Sequence, residues 1–321
     1  MTNDRSIDEV VFHVHEGTVY PLKLICSGER PGLVTCGGGG GDGIARWDAL
    51  SGEMLCAYDG KNRRSINDFV VFGEGGSRSR LLAATDSGIF SWHLYDGSES
   101  VGFVSPSTHE FRSLSLGYFS DGTPFVAASC QEGVYLVDPF SGRLLRPLLA
   151  FGLGDCTSVS TARVSPGLCL VAAGGDNGYV RIWNAETLEL MHQFQGNFEG
   201  IITSMGVSYL SDGSIVLASG DSEGVIHRWN ISTGTQFGRS IISGDLITMI
   251  APADFGVDHL LMVSGQDGVV RKWDCLTGDV VDDSIGGISV DAAVDSGDSL
   301  LIAVGRRNGD VAVSRSRIGF P

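Results

Sequence analysis

Basic side chains are scarce in this sequence, with 22 lysines and arginines against 38 aspartates and glutamates and a formal net charge of −16. A protein that binds duplex nucleic acid needs a basic stripe to displace phosphate counterions. Only small basic clusters occur here, at Arg63-Arg64, Arg306-Arg307 and Arg315 with Arg317. We therefore expect neither nucleic acid nor an anionic membrane surface among the partners.

Long apolar runs are missing as well, since none approaches the roughly 20 residues that a membrane-spanning helix needs. The segment from Met1 to Glu9 is polar and has no basic stretch followed by an apolar core, which argues against a secretory signal. The seven cysteines are odd in number and form no CxxC pair or metal-like cluster. Reduced, buried thiols account for them best, so we expect a cytoplasmic protein with no bound metal and no cofactor.

Proline is rare, with 9 residues, whereas glycine reaches 46 of 321. The glycines stand at turns between short apolar runs, as a chain of many tight hairpins requires. The runs alternate with a period of two, and no segment is long enough to predict a helix. With 42% hydrophobic residues, the composition predicts an all-β protein with a sizeable core.

The five tryptophans of the chain mark a repeat. A tryptophan, or an apolar substitute, followed by an acidic or polar residue recurs at spacings of 44 to 46 residues. A fixed period of this size is typical of a four-stranded propeller blade. The pairs are Trp47-Asp48, Trp92-His93, Val137-Asp138, Trp183-Asn184, Trp229-Asn230 and Trp273-Asp274.

A tight turn ending in glycine precedes each tryptophan position and occurs once more near the end of the chain. Two-residue hairpin turns need positive φ, which glycine adopts at little cost. An apolar strand leads into every turn, so seven turns predict seven blades. The turns are Asp42-Gly43, Ser87-Gly88, Glu132-Gly133, Asn177-Gly178, Glu223-Gly224, Asp267-Gly268 and Asn308-Gly309.

We therefore predict an all-β fold, a seven-bladed β-propeller of four-stranded antiparallel blades that forms a single domain over residues 1-321. Only one strand, Asp310 to Ser314, follows the seventh turn, while a strand at 10-15 precedes the first blade. If this N-terminal strand completes the last blade, the ring closes and an open edge is paired. The predicted blades span roughly 19-58, 65-103, 111-149, 156-195, 201-238, 246-282 and 288-315.

The clearest copies of the repeat are GGDNGYVRIWN at 174–184 and SGQDGVVRKWD at 264–274. With the other copies in register, they resemble the WD-repeat β-propeller family over nearly the whole chain. The Gly-His dipeptide of that family is absent, although His15 keeps the histidine in blade one with Val14 in place of the glycine. The resemblance therefore implies that the family's buried Asp–His–Ser–Trp hydrogen-bond set cannot form in most blades.

The resemblance also implies that the loops leading into the innermost strands lie, with the glycine turns, on the usual binding face. By position, a ring around the channel mouth then contains Tyr20, Asn67, Arg112, Thr157, Thr203, Thr248 and either Ser289 or Asp291. Loop residues beside the ring are Arg63, Arg64, Asp68, His109, Glu110, Asp155, Glu199 and Asp245. Such a ring is either a solvated rim of a water-filled channel or a small-ligand site.

Two functions follow from this placement. The first is a non-catalytic platform that presents its turn-bearing face to a protein or peptide. Acidic turn residues would give that face a negative potential and favour basic segments. These residues are Asp42, Asp86, Glu132, Asp176, Asp221, Glu223 and Asp267.

The alternative function is an enzyme that acts on a small molecule at the channel mouth, by acid–base or cyclisation chemistry. His109 with the Asp155 carboxylate could transfer a proton, and Arg112 could hold an anion. Asp68 is a further candidate base.

Two other motifs give weaker evidence of a functional site. A nucleotide loop is rejected for the glycine run at 37–41 because a strand follows it rather than a helix. The run is either a flexible bulge or a place of close approach by a ligand. His13 and His15 lie on one side of a strand, but no third metal ligand is visible.

Overall fold

The structure is a computed structural model and describes most of the chain. The described residues are 8–26, 30–37, 43–58, 65–73, 76–100, 105–106, 109–152, 154–195, 200–255, 258–295 and 299–317.

Strands that follow one another in the chain lie side by side in antiparallel sheets. Strand β1 (Asp8–His13) precedes the first blade. Blade one contains β2 (Val19–Ile25), β3 (Gly32–Gly37), β4 (Ile44–Asp48) and β5 (Met54–Tyr58). Blade two contains β6 (Ile66–Phe72), β7 (Arg80–Thr85) and β8 (Gly88–His93). Blade three contains β9 (Phe111–Tyr118), β10 (Pro124–Cys130), β11 (Gly133–Val137) and β12 (Leu144–Ala150).

The second half of the chain repeats this order. Blade four contains β13 (Cys156–Ser165), β14 (Leu168–Gly175), β15 (Tyr179–Asn184) and β16 (Leu190–Gln195). Blade five contains β17 (Ile202–Tyr209), β18 (Ile215–Asp221), β19 (Val225–Asn230), β20 (Thr235–Gln236) and β21 (Ile241–Ile242). Blade six contains β22 (Ile247–Phe255), β23 (Asp258–Gly265), β24 (Val269–Asp274) and β25 (Val280–Gly286). Blade seven contains β26 (Ser289–Val294), β27 (Ser299–Gly305) and β28 (Asp310–Arg317).

The described residues thus form seven sheets, which confirms the predicted seven-bladed propeller. Two outer edges differ from the regular pattern. In blade two, a single bridge between Trp92 and Glu99 stands beside β8, and residues 101–104 lie outside the described part. In blade five, the outer strand is broken into β20 and β21, which both pair with β19.

The hydrophobic core lies between blades rather than within one. A cluster between blades three and four joins Phe125 and Leu136 to Val159, Val171 and Trp183. The second strand of each blade is covered on both faces, and β18 and β27 are buried along their whole lengths. This explains why these strands are continuous apolar runs, since a strand with two covered faces has no polar side to alternate with.

The N-terminal strand closes the ring, as predicted. Strand β1 pairs with β28 from Asp8 opposite Arg315 to His13 opposite Asp310, so it begins and ends two residues before the predicted 10-15. The ring of Phe12 lies 6.4 Å from that of Trp47 in blade one. A Cβ atom on Gly52 would stand 2.6 Å from Phe12 Cγ. The closing strand therefore also packs against the next blade.

We expect Phe12→Ala to lower the free energy of unfolding by about 2 kcal/mol, because a half-buried aromatic contact with blade one is lost. Chemical denaturation measures this change. Val11→Ala, at a position 48% exposed on the same strand, should change stability by less than about 0.5 kcal/mol. Equal effects of the two substitutions would show that the Phe12 contact does not hold the closing strand.

Candidate functional site

The innermost strands of the seven blades surround a central channel of about 540 Å³. Its wall carries hydroxyl, amide and charged side chains among apolar ones. The structure places around this channel the predicted residues Tyr20, Asn67, Asp68, Arg112, Thr157, Thr203, Thr248 and Asp291. Their common position follows from the repeat, and their role in binding stays a prediction.

Several ring side chains bind the neighbouring blade. Thr248 Oγ1 donates to the carbonyl oxygen of Ile288 at 3.0 Å. Ser289 Oγ donates to the carbonyl oxygen of Val19 at 2.7 Å. The same kind of bond joins Asn67 to Phe111 and Thr157 to Ile202. These polar groups therefore already have partners within the ring of blades.

Deeper in the channel, side chains accept hydrogen bonds from the backbone of the next blade. The backbone N–H of Ile250 donates to Ser204 Oγ at 2.9 Å. In the same way, backbone N–H groups donate to side chains of the neighbouring blade in three other pairs: Leu24 to Asp291, Leu114 to Asp68, and Thr161 to Ser115. The inner edge of an innermost strand has no neighbouring strand, and buried backbone groups need partners. The polar channel wall supplies them.

Asp68 is the most fully engaged carboxylate of the wall. Its Oδ2 atom accepts from Leu114 N at 2.8 Å and from Ser113 Oγ at 3.1 Å, and its Oδ1 atom accepts from Phe69 N at 2.8 Å. Burial raises the pKa of Asp68 above its ordinary value, against the lowering effect of these bonds and of the Lys23 charge. Asp68 is thus a structural acceptor between blades two and three.

Two other titratable groups share the channel. Lys23 Nζ lies 3.6 Å from Asp291 Oδ1, and that carboxylate raises the pKa of Lys23, against the opposing effect of burial. The Lys23 side chain is still 45% exposed, because it faces the open channel. Burial, with a contribution from Asp68, raises the pKa of Tyr20 to about 12. At neutral pH the wall therefore presents an ammonium group and a neutral phenol.

The predicted acid–base residues are brought together only in part. Arg112 Nη2 lies 3.1 Å from Asp155 Oδ2, and Arg112 Nε lies 3.5 Å from Glu110 Oε1. Two carboxylates thus balance the charge of this guanidinium group. The His109 side chain is exposed in the loop before β9.

Blade one keeps part of the hydrogen-bond set that the family resemblance implies. Thr35 Oγ1 accepts from the indole N–H of Trp47 at 2.8 Å and lies 2.9 Å from His15 Nε2. All three side chains are buried. The histidine has a structural partner here, and the residue that the sequence reasoning missed is Thr35. Within the described residues, no group of three or more His, Cys, Asp or Glu side chains is placed to hold a metal ion.

Some predicted positions lie outside the described residues, namely Arg63, Arg64, Glu199, Asp42 and glycines 38–41. Gly37 is described and ends β3.

The expectation of a polar mouth around the whole ring was incomplete. A groove of about 560 Å³ lies at the mouth beside blades five to seven. Its floor is apolar, and its rim includes Gln266 and Arg307. An isoleucine directly before Thr203, Thr248 and Ser289 is the sequence signal that could have predicted it. The apolar residues of the groove are Ile201, Ile202, Leu246, Ile247 and Ile288.

The role of Asp68 can be tested by pH. Because its pKa is raised on folding, the folded protein keeps a proton that the unfolded chain releases, and this favours the folded state at low pH. Wild-type stability relative to Asp68→Asn should therefore fall as pH rises from 3.8 through the folded-state pKa. Denaturation curves from about pH 2 to pH 7 measure the difference.

Asp212→Asn is the control for this experiment. A hydrogen bond from the Ser214 backbone lowers the pKa of Asp212, so wild-type stability relative to this variant should rise with pH below the ordinary pKa. Slopes of the same sign for both variants would contradict the assignment of Asp68.

Comparisons with known proteins agree with the fold. No family model matches the chain. Apoptotic protease-activating factor 1 of Homo sapiens is 30% identical over 139 residues, which is 43% of this chain. The match spans only 10% of that relative.

A solved structure supports the architecture alone. The computationally designed Ika8 protein superposes with a TM-score of 0.61 over 95% of this chain and 98% of that chain, at 19% identity. No helix in the described ranges is long and apolar enough to cross a membrane. The repeated turns and tryptophans, the seven blades and the similarity to this relative together support a WD-repeat β-propeller.

Proposed function

We propose that this protein is a non-catalytic binding platform whose turn-bearing face holds a protein or peptide segment with an apolar side chain next to basic residues. The propeller fold and its WD-repeat relative support a protein-interaction scaffold in general. The observation that carries the finer proposal is the apolar groove at the channel mouth.

The groove offers apolar surface that the fold leaves uncovered. This surface belongs to Ile201, which is 43% exposed, and to the half-buried Leu246, whereas Ile202 and Ile247 are buried. Covering apolar surface contributes about 25 cal/mol per Å², so a leucine-sized side chain gains free energy by inserting here. The volume of about 560 Å³ has room for several such side chains.

Carboxylates beside the groove favour a basic segment. A Cβ atom on Gly200, directly before Ile201, would lie 3.1 Å from Glu223 Cγ. Asp245 directly precedes Leu246 in the groove. On the opposite rim, the guanidinium group of Arg307 donates to the carbonyl oxygen of Gln266. Acidic groups on a surface raise the rate of association with basic partners.

The alternative of a small-molecule enzyme gains less support from these contacts. Arg112 is balanced by Glu110 and Asp155, and Asp68 is occupied by three hydrogen-bond donors. A general base must be able to reach the proton that it removes.

The groove can be tested with a labelled peptide of alternating leucine and lysine residues. Fluorescence anisotropy should show tighter binding than for the same peptide with glutamate in place of lysine. We expect Ile201→Ser to weaken binding about tenfold, because roughly two buried methylene equivalents are lost.

The matched control is Ile242→Ser, which changes an isoleucine that is 66% exposed on the outer edge of blade five. This variant should bind as the wild type does. Equal binding of the lysine and glutamate peptides, or equal effects of the two serine variants, would sink the proposal.

A further inference from the structure

Arg46 and Arg228 occupy equivalent positions in the repeat but have different hydrogen-bond partners. Arg46 and Arg228 each directly precede the blade tryptophan, Trp47 and Trp229, on the third strand. Each side chain reaches the turn that follows the third strand of the next blade. Arg228 therefore shows which partners this position can provide.

Arg228 is held by three carbonyl groups. Its Nη1 atom donates to Cys275 O at 2.6 Å and Leu276 O at 3.0 Å, and its Nη2 atom donates to Arg239 O at 2.7 Å. The third acceptor comes from the break between β20 and β21. The side chain is 1% exposed.

Arg46 has one of these three bonds, and it is long. Its Nη1 atom donates at 3.3 Å to Leu94 O, the counterpart of Cys275 O, which also accepts the Tyr58 hydroxyl at 2.6 Å. Strand β5 is continuous over Met54–Tyr58 and pairs with β4, so the described part of blade one has no break to supply the third acceptor. The Nη2 atom has no acceptor among the described residues, and Nε is buried without one. Nε of Arg228 is also without an acceptor, so the difference between the two arginines lies in the terminal nitrogens.

A cavity of about 220 Å³ lies in front of the Arg46 guanidinium group, between blades one and two. The guanidinium carbon stands 4.6 Å from the centre of the Tyr95 ring, which fixes its orientation. Leu55 and Tyr95 expose apolar surface at the cavity, at 43% and 42%. Pockets that bind small molecules have volumes of about 300 Å³ or more. This cavity is smaller, so its size suits one side chain of a protein partner.

A second cation stands at the same cavity. Arg30 is 83% exposed, and its Nη1 atom lies 3.8 Å from Asp48 Oδ2. Asp48 also accepts hydrogen bonds from Leu50 N and Ser51 N through Oδ1. Among the described residues that line the cavity, two guanidinium groups thus stand with a single carboxylate that is already engaged, and the cavity favours an added anion.

We infer that this cavity binds the carboxylate of an aspartate or glutamate in an acidic partner segment, with Arg46 and Arg30 as donors and Leu55 and Tyr95 covered by a neighbouring apolar residue. Arginine forms two parallel hydrogen bonds with a carboxylate, which supplies the acceptors that Arg46 lacks. The cavity lies at the end of β4 away from the glycine turns. It is therefore distinct in place and charge from the channel-mouth groove.

The probe is a labelled, amidated peptide of alternating leucine and glutamate residues, compared with its glutamine counterpart. We expect the glutamate peptide to bind wild-type protein about tenfold more tightly, because a charge-assisted bidentate pair replaces a neutral contact. Arg46→Met should remove this preference. Arg46→Lys, which keeps the charge and is less disruptive, should reduce it severalfold because the planar fork is lost.

Controls separate this site from others. Arg163→Met, at an exposed arginine of blade four, should leave the preference unchanged, as should Ile242→Ser on the outer edge of blade five. In wild-type protein, the NMR signal of Arg46 Nε–H should shift as the glutamate peptide is added, and the Arg46→Lys variant assigns that signal. Equal binding of the two peptides, or a glutamate preference that survives both Arg46 substitutions, would overturn the inference whatever the lysine peptide does at the groove.

Discussion

The structure depends on how the innermost strand of each blade meets the hydrogen-bonding needs of its open edge. A strand at the edge of a sheet presents N–H and C=O groups with no partner strand. In this propeller, side chains of neighbouring blades provide those partners, as Ser204 does for the N–H of Ile250 and Thr248 for the carbonyl of Ile288. Hydrophobic packing between the blades is not directional, whereas these hydrogen bonds set the register of one blade against the next.

This arrangement limits what the channel can do chemically. A hydroxyl or carboxylate that holds two blades together has fewer hydrogen-bonding positions left for a substrate, and Asp68 is the clearest case. The two binding surfaces that we propose are instead at the margins of the fold. One is apolar with acidic neighbours at the channel mouth, and the other carries the incompletely bonded Arg46 on the opposite side.

The fold was predictable because its determinants are local and repeated. The seven blades could be predicted from the glycine turns and the tryptophan spacing. The closure by β1 could be predicted from the unmatched strands at both ends. The predicted ring residues line the channel, but their bonds join groups about 46 residues apart, such as the backbone N–H of Leu114 and the Asp68 carboxylate. The difference between Arg46 and Arg228 was not predicted from the sequence, because it arises from a break in an outer strand that a single glycine, Gly238, does not by itself indicate.

The pairing of β1 with β28 also sets an order of events in synthesis. His13 is made before its partner Asp310, which follows 297 residues later. Loop closure over such a distance costs entropy and is slow compared with pairing inside a blade. Until β28 is made, the last blade is incomplete and β1 has no place in the ring. The nascent chain therefore carries an unpaired strand until the residues between β1 and β28 have been made, and a second copy of the chain presents the same acceptor edge. Strand β1 must therefore be kept from pairing with another chain until β28 is available.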